Sequence, residues 1–264
     1  MNVLGAAVSI RSLSHAFLLP DGSPNRVLEA CSFSIEPGEF VSIVGPSGSG
    51  KTTLFNCIAG LANPGSGEVT LDGVAVDGPS RDVAYMLQKD LLLPWRTALE
   101  NVTLGLELRG ISPGSARDRA AHMLQRYGLR GFENAYPRTL SGGMRQRVAL
   151  IRTLILNPRV VLLDEPFSAL DYQTRLLLEC ELRRLVAAIG CTVILVTHDI
   201  EEAIAISDRV VVLGGRPASV KSIHSISMTT EGVRTPLNSR EAPEYRGYHA
   251  AIWGDLEITT EAAA

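Results

Sequence analysis

The sequence predicts an α/β fold in which a parallel sheet is covered by helices on both faces, and three observations carry that expectation. A glycine-rich loop at residues 45–53 stands between a β-prone run and a helical pattern. Short apolar runs recur at 160–163, 192–196 and 209–213. Helical periodicity lies between them, and strands that are continuously apolar are those buried on both faces.

From the start of the chain, residues 1–88 read as β-rich. Met1-Asn2-Val3-Leu4-Gly5-Ala6-Ala7 has no basic start and Arg11 breaks its apolar stretch, so no signal peptide is expected. Glu39-Phe40-Val41-Ser42-Ile43-Val44 is the strand leading into Gly45-Pro46-Ser47-Gly48-Ser49-Gly50-Lys51-Thr52-Thr53. That loop satisfies G-x-x-x-x-G-K-[ST] at every fixed position. Residues without a Cβ let backbone N–H groups close around an anion. Lys51 supplies a point charge for β- and γ-phosphates, and the Thr52 hydroxyl is placed to ligate Mg²⁺. Leu54, Ile58 and Leu61 fall at helical spacing after the loop, which puts the phosphates at a helix N-terminus. Asn63-Pro64-Gly65-Ser66-Gly67 is a turn before the strand Glu68-Val69-Thr70-Leu71, and Asp72-Gly73 is another.

From about residue 98 to 156 the pattern turns helical and interrupts the strand–helix alternation, as an inserted subdomain would. Ser115-Ala116-Arg117-Asp118 has the form of a capping box, Ala120, Leu124 and Tyr127 make a stripe, and Gly128 is a natural stop. A further helix carries Val148, Ile151 and Ile155 until Asn157-Pro158 ends it. Leu178, Leu182, Leu185 and Ile189 line one helix face before Gly190.

Chemistry gathers at two further places. Val160-Val161-Leu162-Leu163 delivers Asp164 and Glu165 at a strand's carboxyl end, where open α/β sheets bind ligands. Successive side chains on a strand diverge, so the two carboxylates take different roles: Asp164 in the Mg²⁺ shell, Glu165 polarising a water aimed at the γ-phosphate. In Leu140-Ser141-Gly142-Gly143-Met144-Arg145-Gln146-Arg147, Ser141 caps a helix whose first N–H groups the glycines leave open. One chain has no need of a second phosphate-binding surface for a single nucleotide. Two chains meeting head to tail would use it, each closing over the nucleotide held by the other.

These motifs, in this order with Ser168-Ala169-Leu170-Asp171 and His198, resemble the ATP-binding cassette (ABC) ATPases, over about residues 8–215. The resemblance implies a P-loop NTPase of ABC type: a RecA-like core, an N-terminal antiparallel β-subdomain and a helical subdomain inserted at about 89–157. It also implies that Gln88 joins the core to that subdomain and senses Mg²⁺ and the attacking water. By the same resemblance Phe17 stacks on adenine, 168–171 carries signals between the two sites, Asp171 included, and His198 contacts the γ-phosphate. ATP and Mg²⁺ are the implied cofactors. Met144 stands where many members carry Gln; Ser141, Gly142 and Gly143 are the phosphate contacts.

The interval between Lys51 and Ser141 leaves no room for long coiled coils, and the chain carries one cassette. With 25 basic and 28 acidic residues, a net charge of −3 gives no nucleic-acid-binding surface. No run approaches the ~20 apolar residues that span a bilayer, so a membrane role would come through a partner. Cys31, Cys57, Cys180 and Cys191 have neither C-x-x-C nor metal spacing and read as four buried thiols. Gln88-Lys89-Asp90-Leu91-Leu92-Leu93-Pro94-Trp95 is unusually apolar beside an active site, and Leu92, Leu93 and Trp95 are expected to line a groove for a permease helix.

This stretch, with Pro166-Phe167-Ser168-Ala169-Leu170-Asp171, resembles the importer subgroup for nitrate, taurine, alkanesulfonates and thiamine-precursor pyrimidines. Residues 216–264 are expected to be a C-terminal extension. Ser239-Arg240-Glu241-Ala242-Pro243-Glu244-Tyr245, then Ile252-Trp253, resembles that subgroup's terminal helix, with Tyr245, Tyr248, Ile252 and Leu256 as its apolar stripe. The expectation is the ATPase subunit of an importer, a dimer on the cytoplasmic face of the inner membrane under two permease subunits, served by a solute-binding protein. The alternatives are a soluble mechanical or regulatory cassette ATPase and an exporter subunit.

Overall fold

The computed structural model describes residues 4–168 and 170–256; the readings that fall on residues 1–3, Ala169 and 257–264 lie outside them. Strand β1 (Val8–Leu18) pairs antiparallel with β2 (Pro24–Ile35) and with β4 (Ser66–Leu71), which adds the short β5 (Val74–Ala75). The main sheet has six strands in the order β10-β9-β3-β8-β7-β6: β3 (Phe40–Val44), β6 (Val83–Met86), β7 (Val160–Asp164), β8 (Thr192–Val196), β9 (Arg209–Gly214) and β10 (Ser219–Ser225). Five of them run parallel, and β10 returns antiparallel to β9.

The apolar runs divide by parity. Phe40, Val161, Leu163, Val193 and Leu195 face one core with the inserted helices. Val41, Ile43, Val160, Leu162, Ile194 and Val196 face the other, against helix α1 (Lys51–Ile58) and the antiparallel sheet. This period of two explains why these strands carry no polar face. Leu54 and Ile58 are buried on α1, but Leu61 is 60 % exposed. The helix stops at Ile58 and Gly60 takes a left-handed φ of 71°, so Leu61 leaves the face that spacing assigned it.

The insertion comprises α2 (Ala98–Leu108), α3 (Pro113–Arg126) and α4 (Gly142–Leu154). The expected cap at Ser115 is displaced: α3 begins at Pro113 behind Ser112, because proline at the first helical position needs no N–H partner. The capping box of this region belongs to α2, where Thr97 Oγ1 accepts from Glu100 N at 3.2 Å and Glu100 Oε2 accepts from Thr97 N at 2.8 Å. Helix α5 (Tyr172–Ile189) ends on Gly190 at φ 77°, as expected.

The boundary expected at 215/216 falls inside a β-hairpin, since β9 and β10 pair across it and Ala218 N donates to Val27 O at 2.9 Å. Helix α6 (Ile200–Ile206) follows β8, and α7 (Pro236–Ser239) and α8 (Tyr245–Leu256) complete the described chain. Ile252 is fully buried among Val44, Ile200, Ile204, Val212 and Ile226, with Tyr245, Tyr248 and Leu256 packed around it. The terminal stripe thus closes the chain's own core. Cys31, Cys57 and Cys191 are buried; Cys180 is half-buried, against expectation, because it sits at the flank of α5.

Truncating Ile252→Ala should lower unfolding stability by about 2–5 kcal/mol, the range for a fully buried aliphatic side chain. A shift of the urea midpoint at constant slope measures it, and an unchanged midpoint would show that α8 is not part of the cooperative core.

Candidate active site

Four strand ends supply the site. The loop after β3, residue 88 after β6, residues 164–165 closing β7 and residue 198 after β8 all lie at carboxyl ends of parallel neighbours. They border a cleft of about 380 Å³ lined by Phe17, Val27, residues 47–53, Gln88, Asp164, Glu165 and Val196.

The loop's shape depends on two of its glycines. A Cβ on Gly45 would stand 2.7 Å from Ser49 Oγ and 2.9 Å from the Leu213 carbonyl. Gly50 caps α1 at φ 77°, and a Cβ there would meet Val27 Cγ1 and Leu28 Cδ2 at 2.8 Å. Lys51 is buried, its Nζ donating to Gly45 O at 2.8 Å and Pro46 O at 2.9 Å. Burial pulls its pKa down, opposed by the charges of Glu165 and Asp164. Ser49, which lines the cleft, has its Oγ buried without a hydrogen-bond partner among the described residues.

Asp164 ends β7 and is buried. Its Oδ2 accepts from Thr52 Oγ1 at 3.2 Å and from Tyr85 Oη at 3.3 Å. Burial raises its pKa, and those two hydrogen bonds oppose the rise. Tyr85 was not expected here. Its signal was faint: the residue just before Met86-Leu87-Gln88 on an edge strand, registered against Leu162 of β7.

Glu165 has left the strand. Its φ of 45° is left-handed, a conformation uncommon outside glycine, and its N–H donates to Val196 O at 2.8 Å. This backbone reversal, more than strand alternation, separates its carboxylate from that of Asp164. Glu165 Oε2 accepts from Gln88 Nε2 at 2.9 Å, and Oε1 lies 3.2 Å from His198 Nδ1. Phe17 is 49 % exposed at the cleft edge, its ring edge-on to His15 at 4.8 Å between centroids.

Ser141, Gly142, Gly143 and Asp171 do not line this cleft. They form a separate cluster of helix starts. Ser141 Oγ accepts from Met144 N at 3.3 Å to cap α4, and Asp171 Oδ1 accepts from Thr174 N at 3.0 Å to cap α5. The two ends touch: a Cβ on Gly143 would stand 2.9 Å from Thr174 Cγ2, whereas one on Gly142 would meet only Arg145 Nη2, at 4.0 Å.

Residues 88–97 are a pinned loop. Arg152 on α4 donates to Asp90 O at 2.6 Å and Leu91 O at 2.9 Å, and Arg145 Nε bonds Asp90 Oδ2 at 3.0 Å. Buried Asn101 accepts from Leu93 N at 2.7 Å and donates to the carbonyls of Leu93, Arg96 and Thr97. Neither Arg152 nor Asn101 was expected to matter. Leu92 is the correction: at 8 % exposure it belongs to the helical core and cannot line a surface groove. Leu93 is half-buried and Trp95 is 70 % exposed.

Several known proteins resemble this chain. Residues 28–168 match the family model described as ABC transporter. An uncharacterized ABC transporter ATP-binding protein of Methanocaldococcus jannaschii is 46 % identical over 226 residues, covering 86 % of this chain and 84 % of that one. The nitrate import ATP-binding protein of a Synechocystis strain is 41 % identical over 249 residues, 93 % of each chain. A taurine import ATP-binding protein of Yersinia pestis is 45 % identical over 193 residues, 73 % of this chain and 76 % of its own. Among solved structures, a dimeric ATP-binding cassette in a post-hydrolysis state bound to ADP and Pi superposes with a TM-score of 0.75 at 34 % identity, over 84 % of this chain and all of that one.

Gly48 and Gly50 separate conformational from steric cost within the loop. Both have positive φ, but a Cβ on Gly48 meets nothing within 4 Å. Gly48→Ala should cost about 1–2 kcal/mol for the left-handed residue alone. Gly50→Ala should cost about 1–3 kcal/mol more, because it also collides with β2. Urea midpoints of the two variants check this, and equal midpoints would refute the collision.

Proposed function

The chain belongs to the ABC transporter family as an ATP-binding subunit and ATPase, and from that premise we propose that it powers uptake of a small anion through partner membrane subunits. The carrying observation is the convergence of Lys51, Thr52, Gln88, Asp164 and Glu165 on one cleft at the ends of three parallel strands, β3, β6 and β7. The nitrate-import relative supports an anionic solute, and the taurine-import relative a solute that carries a sulfonate. The solute itself would be chosen by the permease and a solute-binding protein.

In this reading the N–H groups of residues 47–52 hold the phosphates at the α1 N-terminus, helped by the Lys51 ammonium. Phe17 stacks on the base. Thr52 and Asp164 fit Mg²⁺: hydroxyl and carboxylate are hard oxygen donors, and this ion is commonly held by one or two carboxylates plus phosphates and water. Bound there, Mg²⁺ would neutralise charge developing on the phosphates. Glu165 orients the attacking water, Gln88 and His198 hold the two oxygens of that carboxylate, and His198 also reaches the γ-phosphate.

A second copy completes the site. Ser141, Gly142 and Gly143 of one chain would close over the nucleotide held by the Lys51 loop of the other, with Asp171 at the same junction. The dimeric cassette among the structural relatives supports that assembly. At Gly142 only the end of the Arg145 side chain, 4.0 Å from an added Cβ, stands near the backbone.

The loop at 88–97 is the proposed coupling element. Gln88 meets Glu165 at one end, Trp95 stands exposed at the other, and Arg145 and Arg152 tie the segment to the helix that Ser141 begins. Trp95 and Leu93 would receive the permease helix and hold the chain at the inner face of the membrane. Among the described residues no helix is long and apolar enough to cross a membrane.

Glu165→Gln should keep ATP binding and lower turnover by about 10²-fold or more, with ATP-bound dimers accumulating. Steady-state hydrolysis beside equilibrium nucleotide binding is the measurement, and near-normal turnover would sink the role given to Glu165.

Trp95→Ala should weaken permease attachment by about 2 kcal/mol, roughly thirtyfold. ATP binding and the melting temperature of the isolated chain should hardly change, since the indole is exposed. Pull-down on the permease with a parallel melting curve tests this; full retention on the permease would remove Trp95 from the interface.

A further inference from the structure

Behind the turn that carries His198, charged side chains from three parts of the chain meet. Asp199 caps α6, its Oδ1 accepting from Glu202 N at 3.1 Å, and its Oδ2 takes Arg175 Nη1 from α5 at 2.5 Å. Thr197 Oγ1 accepts from Asp199 N at 3.0 Å and donates to Glu202 Oε2 at 2.8 Å. The residues on both sides of His198 are therefore held by this cluster. Four residues along α5 from Arg175, Glu179 is 0 % exposed, and Arg240 Nη2 reaches its two oxygens at 2.9 and 3.2 Å. Arg240 comes from the C-terminal segment, where its Nη1 is anchored on Pro236 O at 2.7 Å.

The charges balance. Burial raises the Glu202 carboxyl to about 8, which leaves it mostly protonated at neutral pH. Asp199 and Glu179 then stand against Arg175 and Arg240. Arg175 has two carboxylates within its range: Asp199 across the helix interface, and Glu179 at the i+4 position of its own helix, where such pairs meet. Arg240 satisfies Glu179 and leaves Arg175 to Asp199. An unpaired carboxylate in this interior is strongly unfavourable: burial raises the Glu179 pKa, Arg240 is the main group opposing that rise, and Arg175 is the other cation opposing it.

We propose that Arg240 is a positioning residue for His198: by neutralising Glu179 it keeps Arg175 on Asp199 and fixes the turn that presents His198 to Glu165. The C-terminal segment then sets the rate of hydrolysis through a single guanidinium, without touching nucleotide. The inference rests on the reading of His198 as a γ-phosphate contact.

The test compares Arg240→Met, the double variant Glu179→Gln with Arg240→Met, Arg175→Met and His198→Ala in the full chain. ATPase kcat and KM are normalised to nucleotide sites titrated in each preparation. Arg240→Met should lower kcat per titrated site on the order of tenfold, a fraction of what ~1 Å of misplacement can cost, with KM little changed. The double variant should recover kcat, since no carboxylate remains to draw Arg175 away, whereas Arg175→Met should stay slow. If Arg240→Met does not fold, Arg240→Gln, which keeps a hydrogen bond to Glu179 without the charge, should show the same loss of kcat per site, whereas Arg240→Lys, which keeps the charge, should not. Loss of titratable sites or of melting temperature with kcat per site intact would reduce Arg240 to a structural role and overturn the proposal. A double variant as slow as Arg240→Met would overturn it as well. Normal hydrolysis by His198→Ala would instead remove the reading of His198 on which it rests.

Discussion

The parallel register of β3, β8, β7 and β6 is the constraint on which the rest of this structure depends. Strands buried on both faces have no solvent-facing side for functional groups, so chemistry can be displayed only where they end. Four adjacent strands ending on one edge bring the phosphate loop, Gln88, the Asp164–Glu165 pair and His198 within reach of one another. Residues from 47 to 196 share one cleft because the sheet leaves them nowhere else to go, and His198 joins them through Glu165. The packing that enforces this is plain: alternate residues of the same strand lie in different cores, and a slip of one residue would exchange them.

On that edge, adjacent carboxylates acquire different surroundings from a single backbone event. Asp164 keeps strand geometry, stays buried and receives two hydroxyl donors. Glu165 turns left-handed, and its carboxylate is taken by an amide and an imidazole instead. A left-handed glutamate has a conformational cost, and such costs persist where surrounding contacts over-determine the conformation. Here the Val196 carbonyl holds the Glu165 N–H, and Ser168 donates to the Glu165 carbonyl from N and Oγ at 3.3 and 3.0 Å.

Away from the edge, rigidity comes from arginines and one asparagine reaching backbone carbonyls. Arg152 and Asn101 hold the loop at 88–97 so firmly that Leu92 turns into the helical core while Trp95 stays outside. Arg240 performs the equivalent service for buried Glu179. These contacts join segments far apart in sequence: the loop to α4, and the C-terminal segment to the helix after the second site.

The sequence by itself determined the α/β class, the phosphate loop with its flanking strand and helix, the strand that delivers Asp164 and Glu165, and the inserted helical block. Each of these is a local pattern: periodicity, glycine placement or a motif of fixed spacing, written in consecutive residues. The start of α3 at Pro113 was likewise a local signal, one that the Ser115 reading passed over. Tertiary structure alone decided that Leu61 and Leu92 exchange their expected environments and that β10 joins the sheet across the boundary expected at 215. It alone brought Tyr85 to Asp164, Asn101 to the loop and Arg240 to Glu179. Those outcomes depend on where a side chain ends after distant segments have packed, and a tyrosine, asparagine or arginine carries no period or spacing that names its partner.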